Sequence, residues 1–236
     1  MDPGAVEDAV REDDPHVPHS RLVLVENSYG AKHGYPLPPE YLASIAAVAR
    51  RHGLALHMDG ARLFNAAVAQ NVDAAALTHH VDSVTFCLSK GLCAPVGSVL
   101  CGSADFISRA RRARKILGGG MRQAGILAAA GIVALNEMIE RLADDHAHAR
   151  LLAEGLARLP GVRVDVDKVR TNMVFFDLTD DVPLSSETVA DRLRQTAGVW
   201  LGTNGPRGFR AVTHYWIGPK DVAVFLGGLE NVLARA

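Results

Sequence analysis

Residues 83–91 have the sequence SVTFCLSKG, a short apolar run that ends in a polar one. Such a run predicts a buried strand of an α/β protein. Lys90 follows this strand, and an unpaired ammonium group is costly to bury in a packed core. The lysine is therefore either a solvated residue at the end of the strand or part of a site there.

A second strand is predicted upstream, over residues 54–58 (LALHM), and Asp59 and Arg62 follow it. Ligands of open α/β sheets bind at the carboxyl ends of the strands. We therefore expect Asp59, Arg62 and Lys90 at one edge of a sheet. A lysine that forms a Schiff base and an acid that holds a pyridinium nitrogen are what pyridoxal phosphate (PLP) requires. The alternative for Asp59 is that it caps the following helix.

The chain carries four sequence motifs that together resemble one family. They are HMDGAR at residues 57–62, SVTFCLSKG at 83–91, APVGS at 94–98 and GGGMRQ at 118–123. In this order they resemble the low-specificity L-threonine aldolases, over nearly the whole chain. The resemblance implies an α/β fold of the aspartate-aminotransferase type (PLP fold type I). That fold has a large domain with a mostly parallel sheet, followed here by a smaller α+β C-terminal domain.

The resemblance also implies a cofactor site. Lys90 would bind PLP, and Asp59 would keep the pyridine nitrogen protonated so that the ring can accept electrons. Arg122 matches an arginine that reaches the phosphate in the neighbouring subunit. Its alternative is a place in the first turn of a helix, against the helix dipole. Asn27 falls in the family's Glu-Asn-Thr motif and is a further candidate for cofactor binding.

Two arginines are implied to bind the carboxylate of a small β-hydroxy-α-amino acid. Arg62 corresponds to one of them, and Arg210 precedes Val-Thr-His as the other does in the family. The planar guanidinium fork suits this task because it meets a carboxylate with two parallel hydrogen bonds. Arg207 is close to Arg210 in the sequence and is the alternative.

The activity implied is cleavage of L-threonine or L-allo-threonine to glycine and acetaldehyde in a homodimer or homotetramer with a shared site. The family has an N-terminal part to which nothing here corresponds, so we expect the chain alone to be impaired. One alternative is a PLP-dependent β-eliminating lyase acting on an aromatic amino acid. Another is a non-catalytic fragment or one half of a split enzyme.

Composition argues against several other classes. The chain has 25 basic and 26 acidic residues and a formal net charge of −1, which predicts no nucleic-acid or anionic-membrane partner. It lacks the ~20 uninterrupted apolar residues of a membrane span. Three cysteines without metal-ligand spacing predict buried free thiols and no metal site. With no secretory signal at the N-terminus, these features predict a cytoplasmic protein.

The expected domains are a partial PLP-binding large domain over residues 1–150 and a small α+β domain over residues 151–236. Residues 122–159 are predicted as one long helix or two abutting ones, and His146 on it is expected to be solvated. The other main elements are a buried strand at 21–26, further strands at 83–88, 162–164, 171–177 and 210–214, and helices beginning near residues 38, 104, 185 and 219.

Overall fold

A computed structural model of the chain describes residues 2–235. The chain forms two compact units. The first comprises the chain up to Ser28 together with Pro36–Ile139, and the second comprises Tyr29–Tyr35 and the chain from Glu140 onward. The predicted domain boundary near residue 150 lies within the second unit.

The first unit is built on a four-stranded sheet. Across it lie, in this order, β1 (Leu22–Glu26), β2 (Ala55–Asp59), β3 (Ser83–Cys87) and β4 (Ser98–Gly102). β1 and β2 are parallel, as are β2 and β3, whereas β4 is antiparallel to β3. The mostly parallel sheet predicted from the sequence is confirmed.

Helices connect and flank these strands. They are α1 (Pro3–Asp8), α2 (Pro39–Arg51), α3 (Leu63–Gln70), α4 (Ala74–Thr78), α5 (Ala104–Ile116) and α6 (Gly125–Glu137). α2 leads from β1 to β2, and α3 and α4 lead from β2 to β3, so both parallel pairs have the helical crossovers that parallel strands need. Every residue of α5 is exposed or half-buried.

The core of this unit includes one face of α2. Leu42, Ile45 and Val48 recur at helical spacing and are each at most 2% exposed. Leu56 and Met58 of the neighbouring strand β2 are equally buried. Burial of this one face explains why the sequence pattern predicts α2 and β2 well.

Two expectations of burial were wrong. β1 was predicted to be buried, but Leu22 is 54% and Leu24 60% exposed. β1 pairs only with β2 among the described strands, and no element within residues 2–235 covers these two side chains. Cys101 on β4, predicted as a buried thiol, is exposed.

The second unit is an antiparallel sheet with helices on one face. Its elements are α7 (Leu142–Leu156), β5 (Val162–Val164), β6 (Met173–Leu178), α8 (Ser186–Ala197), β7 (Gly202–Thr203), β8 (Gly208–Val212) and α9 (Pro219–Leu233). The strand order is β5-β6-β8-β7. Val174, Phe176 and Phe209 point into a core shared with the helices, and each is at most 2% exposed. This is the predicted α+β organisation, and residues 122–159 form two helices.

β8 lies two residues earlier than the predicted strand 210–214. Thr213 leaves the strand because its hydroxyl donates to the backbone oxygen of Asp145 over 2.6 Å. Its N–H donates to the oxygen of Asn172 over 3.0 Å. The threonine is only 1% exposed, so these bonds fix the end of the strand inside the unit.

Candidate functional site

Asp59 and Lys90 lie at the carboxyl ends of adjacent parallel strands. Asp59 is the last residue of β2 and is the register partner of Thr85 in β3. β3 ends at Cys87, and Lys90 follows in the next loop. The structure therefore brings the predicted acid and the predicted lysine to one edge of the first sheet.

The carboxylate of Asp59 is held by the turn that follows it. Its Oδ1 accepts the N–H of Ala61 over 3.0 Å. The alternative, that Asp59 caps the next helix, was wrong, because α3 begins at Leu63 and its N-cap residue is Arg62. One backbone bond leaves the other carboxylate oxygen available for a ligand.

Gly60 lets this turn approach β3 closely. Its N–H donates to the oxygen of Thr85 over 2.7 Å. A Cβ atom at residue 60 would lie 2.9 Å from that oxygen and 3.1 Å from the Val84 side chain. Only glycine fits here without displacement, so the HMDGAR motif places its Asp and Arg against the neighbouring strand.

The lysine loop is closed by backbone hydrogen bonds on both sides of Lys90. Leu88 donates to Gly97 over 2.9 Å, and Ala94 donates to Leu88 over 3.0 Å. Cys93 donates to the oxygen of Lys90 itself over 2.9 Å. Lys90 is exposed. A fixed backbone with an accessible side chain suits a lysine that must react with a ligand.

Asn27 and Ser28 leave β1 at the same edge, and both are buried. The Asn27 amide pairs with the backbone of Leu37: Oδ1 accepts over 2.9 Å and Nδ2 donates over 3.2 Å. This pairing gives Asn27 a structural task that the sequence did not indicate. The Ser28 hydroxyl is buried with no hydrogen-bond partner among the described residues, and it was missed because serines at strand ends are common.

Arg62 and Arg122 also belong to the first unit. Arg62 directly precedes α3 and is half-buried. Arg122 is exposed and lies before α6, which begins at Gly125, so the alternative of a first-turn position was wrong. Gln123 lies between Arg122 and the start of α6 and has a positive φ of 51°, which is not a helical conformation, so Arg122 stands outside the helix.

Arg210 and Arg207 lie in the second unit and differ in their contacts. Arg207 donates to the backbone oxygens of Leu178, Thr179 and Val182, the first and last over 3.3 and 3.0 Å. Arg210 on β8 is exposed and has no carboxylate partner among residues 2–235. Of the two, Arg210 is therefore the one available to a ligand.

Two kinds of feature are absent from the described part of the chain. No group of three or more His, Cys, Asp or Glu residues between positions 2 and 235 could hold a metal ion. None of the helices described there is long and apolar enough to cross a bilayer.

Comparison with known proteins identifies the family. The model of the beta-eliminating lyases matches residues 1–179. The chain belongs to the beta-eliminating lyase family. Beta-eliminating lyases are PLP-dependent enzymes, so the family agrees with the cofactor predicted from Lys90 and Asp59.

Two curated relatives of this family member carry the same name. Low-specificity L-threonine aldolase 1 of Arabidopsis thaliana is 45% identical over 235 residues, which are 99% of this chain and 65% of the relative. The low specificity L-threonine aldolase of Escherichia coli K12 is 48% identical over 166 residues, 70% of this chain and 48% of the relative. The chain thus spans just under two thirds of the plant relative's length.

A solved structure confirms the fold class. The Leishmania major threonine aldolase superposes with a TM-score of 0.80 at 21% identity, covering 99% of this chain and 67% of that one. Structural neighbours of this kind have PLP fold type I. The predicted fold is therefore correct.

The residues at the sheet edge fit PLP. Lys90 offers an accessible amine for an aldehyde, and Asp59 has a carboxylate oxygen left for a pyridinium nitrogen. The buried Ser28 hydroxyl, which lacks a partner among the described residues, lies at the end of the neighbouring strand β1. A buried hydroxyl without a partner is unfavourable.

Proposed function

We propose that this chain binds PLP through Lys90 and cleaves L-threonine or L-allo-threonine to glycine and acetaldehyde. The observation that carries the proposal is the position of Lys90 and Asp59 at the ends of adjacent parallel strands. The 45% identity to a plant L-threonine aldolase supports this choice among PLP reactions.

Lys90 and Asp59 divide the work at the cofactor. Lys90 would hold the aldehyde carbon through Nζ, and when that amine is released it can hold and move a proton. Asp59 would hold the protonated pyridine nitrogen with its free carboxylate oxygen, since a negative neighbour favours the charged form. Bound PLP supplies a ring that takes up the electron pair released at Cα.

Arg62 and Arg210 are proposed to bind the substrate carboxylate. The availability of Arg210 supports this role, because a guanidinium with no acidic partner within residues 2–235 can take a carboxylate in two parallel bonds. Binding at the carboxylate orients a small β-hydroxy-α-amino acid without contacting its reacting Cα–Cβ bond. Asn27 is proposed at the cofactor, in addition to its bonds with Leu37.

We also propose a homodimer or homotetramer in which Arg122 reaches the PLP phosphate of the neighbouring subunit. The surface of α6 supports association, because Ile126 is 80%, Ile132 59% and Val133 51% exposed. Apolar side chains on a contiguous helix surface are typical of an interface. The free thiols Cys87, Cys93 and Cys101 support a reducing compartment, which we propose is the cytoplasm.

Product analysis tests the proposed reaction. The protein, purified with PLP, is incubated with L-threonine and, in parallel, with an amino acid whose β-substituent is aromatic, and glycine, acetaldehyde and pyruvate are measured separately. Equal amounts of glycine and acetaldehyde, lost in Lys90→Ala, support the proposal whatever the rate. If the amino acid with the aromatic β-substituent yields pyruvate and threonine yields no glycine, the β-eliminating alternative is indicated. No PLP-dependent product from threonine contradicts the proposal.

A further inference from the structure

The second sheet has a face that does not contribute to its core. Alternate residues of a strand point to opposite faces. Since Phe176 and Phe209 point into the core, Phe175 and Arg210 point to the other side, here called the outer face. Phe175 and Arg210 are direct register partners in β6 and β8. Their Cβ atoms are therefore about 5 Å apart, as in antiparallel pairs generally.

The segment Tyr29–Tyr35 places a histidine on this face. The His33 ring lies 5.0 Å from the Phe175 ring, between centroids, at 58°. His33 and Gly34 have φ values of 58° and 61°, in the left-handed region. The Thr171 hydroxyl donates to the oxygen of Gly34 over 2.9 Å, and a Cβ there would lie 2.5 Å from it. The backbone thus fixes His33 against Phe175.

The two rings line a cavity of about 430 Å³, a size typical of small-molecule pockets, which span roughly 300–1,000 Å³. Its charged lining is largely paired: Lys168 contacts Asp165 at 2.8 Å, and Arg163 contacts Asp177 at 4.0 Å. With these charges paired, the His33 and Phe175 rings offer an uncharged contact surface for a ligand.

His33 itself favours an uncharged ligand. Burial lowers the pKa of its imidazole, and the nearby Lys168 ammonium lowers it further, while Asp165 and Asp177 act in the opposite direction. The ring is therefore mostly uncharged at neutral pH. Lys32 also lines the cavity and has no acidic partner in the described part of the chain, so an acidic side chain is the competing possibility.

We propose that this cavity takes the uncharged β-substituent of the amino acid whose carboxylate binds Arg210. His33 and Phe175 are then specificity-determining residues for the proposed lyase, and they favour substituents up to aromatic size. The inference rests on the proposed function. It adds which side chains of this chain distinguish one β-hydroxy-α-amino acid from another.

Binding of amino acids without a β-hydroxyl tests this directly, because they cannot be cleaved between Cα and Cβ. The PLP-loaded protein is titrated with glycine, L-2-aminobutyrate, L-phenylalanine and L-aspartate, and binding is followed by the cofactor absorbance. The variants are Phe175→Leu and His33→Asn, since asparagine tolerates a positive φ. His19→Asn, at an exposed histidine, is the matched control.

We expect both variants to weaken L-phenylalanine binding roughly three- to tenfold, the range of one aromatic contact. Glycine binding stays unchanged, and the control alters neither. An unchanged ratio of L-phenylalanine to glycine affinity, an equal loss of both, or tightest binding of L-aspartate overturns this inference alone. If the unaltered protein binds none of the four, the proposed function fails and this inference fails with it.

Discussion

At the scale of single residues, Asp59 is the most informative position for the proposed chemistry. Asp59→Asn keeps the oxygen that accepts the Ala61 N–H, so the turn should survive. It removes the negative charge that holds the pyridine proton. We expect PLP to remain bound while the rate of threonine cleavage falls by orders of magnitude. Cofactor absorbance and initial rates measure the two effects, and an unchanged rate assigns Asp59 to the turn alone.

Arg210 and Arg207 form a matched pair. Arg210→Lys keeps the charge but loses the two-pronged geometry, so the KM for threonine should rise by the equivalent of about 1.5–3 kcal/mol. Arg207→Lys should instead lower the free energy of unfolding, because Arg207 binds three backbone oxygens. Steady-state kinetics and urea unfolding separate them. A KM that responds to Arg207 and not to Arg210 reverses the assignment.

The sequence predicted residues whose position depends on a local pattern. Lys90 and Asp59 each follow an apolar run, so their places at strand ends could be predicted without knowing the partners of those strands. The task of Asn27 depends on Leu37, on the far side of a loop. The position of Arg210 before Val-Thr-His already favoured it over Arg207, but the contacts of Arg207 with the backbone near Thr179 were not predicted. Such contacts have no signature in composition or periodicity.

At the scale of elements, burial was harder to predict than secondary structure. Strand β1 has apolar residues on both faces, which is typical of a fully buried strand. Leu22 and Leu24 are nevertheless exposed, because exposure depends on what covers a face and not on the strand's own sequence. For β8, the sequence suggested a strand to residue 214, and the hydroxyl of Thr213 ended it earlier.

Helix α7 carries a histidine with a titration that can be measured. His146 was expected to be solvated, and this was wrong: burial lowers its pKa from 6.5 to about 4. The unfolded chain therefore binds more protons than the folded one between these pH values. The free energy of unfolding therefore rises with pH across this window, and the contribution of His146 to stability is lost as the pH falls.

Between pH 7.5 and pH 5 this single group should cost about 2 kcal/mol of stability. Urea unfolding of the protein and of His146→Gln at both pH values measures it. In His146→Gln most of the difference in unfolding free energy between the two pH values should disappear. In His19→Gln, at an exposed site, that difference should remain. His33 acts in the same direction, so a remainder is expected. Equal pH dependence in the protein and in His146→Gln contradicts the assignment.

At the scale of the whole molecule, the surface of α6 predicts association. Ile132→Glu places a charge on an apolar surface that a partner subunit would bury, so we expect the assembly to dissociate. Light scattering after size exclusion measures the mass. Val224→Glu, at a 54% exposed position on α9, is the control and should leave the mass unchanged. A monomeric unaltered protein, or equal masses for it and Ile132→Glu, contradicts the interface.

The central claim is that Lys90 is the lysine that binds PLP. The protein is incubated with equimolar PLP, reduced with borohydride, digested and analysed by mass spectrometry. The account predicts that the added pyridoxyl phosphate mass lies on Lys90, and that Lys90→Ala abolishes it. Exposed Lys115 provides the internal comparison and should stay unmodified. Labelling of Lys115 or another lysine in place of Lys90, or no reducible link at all, would contradict it.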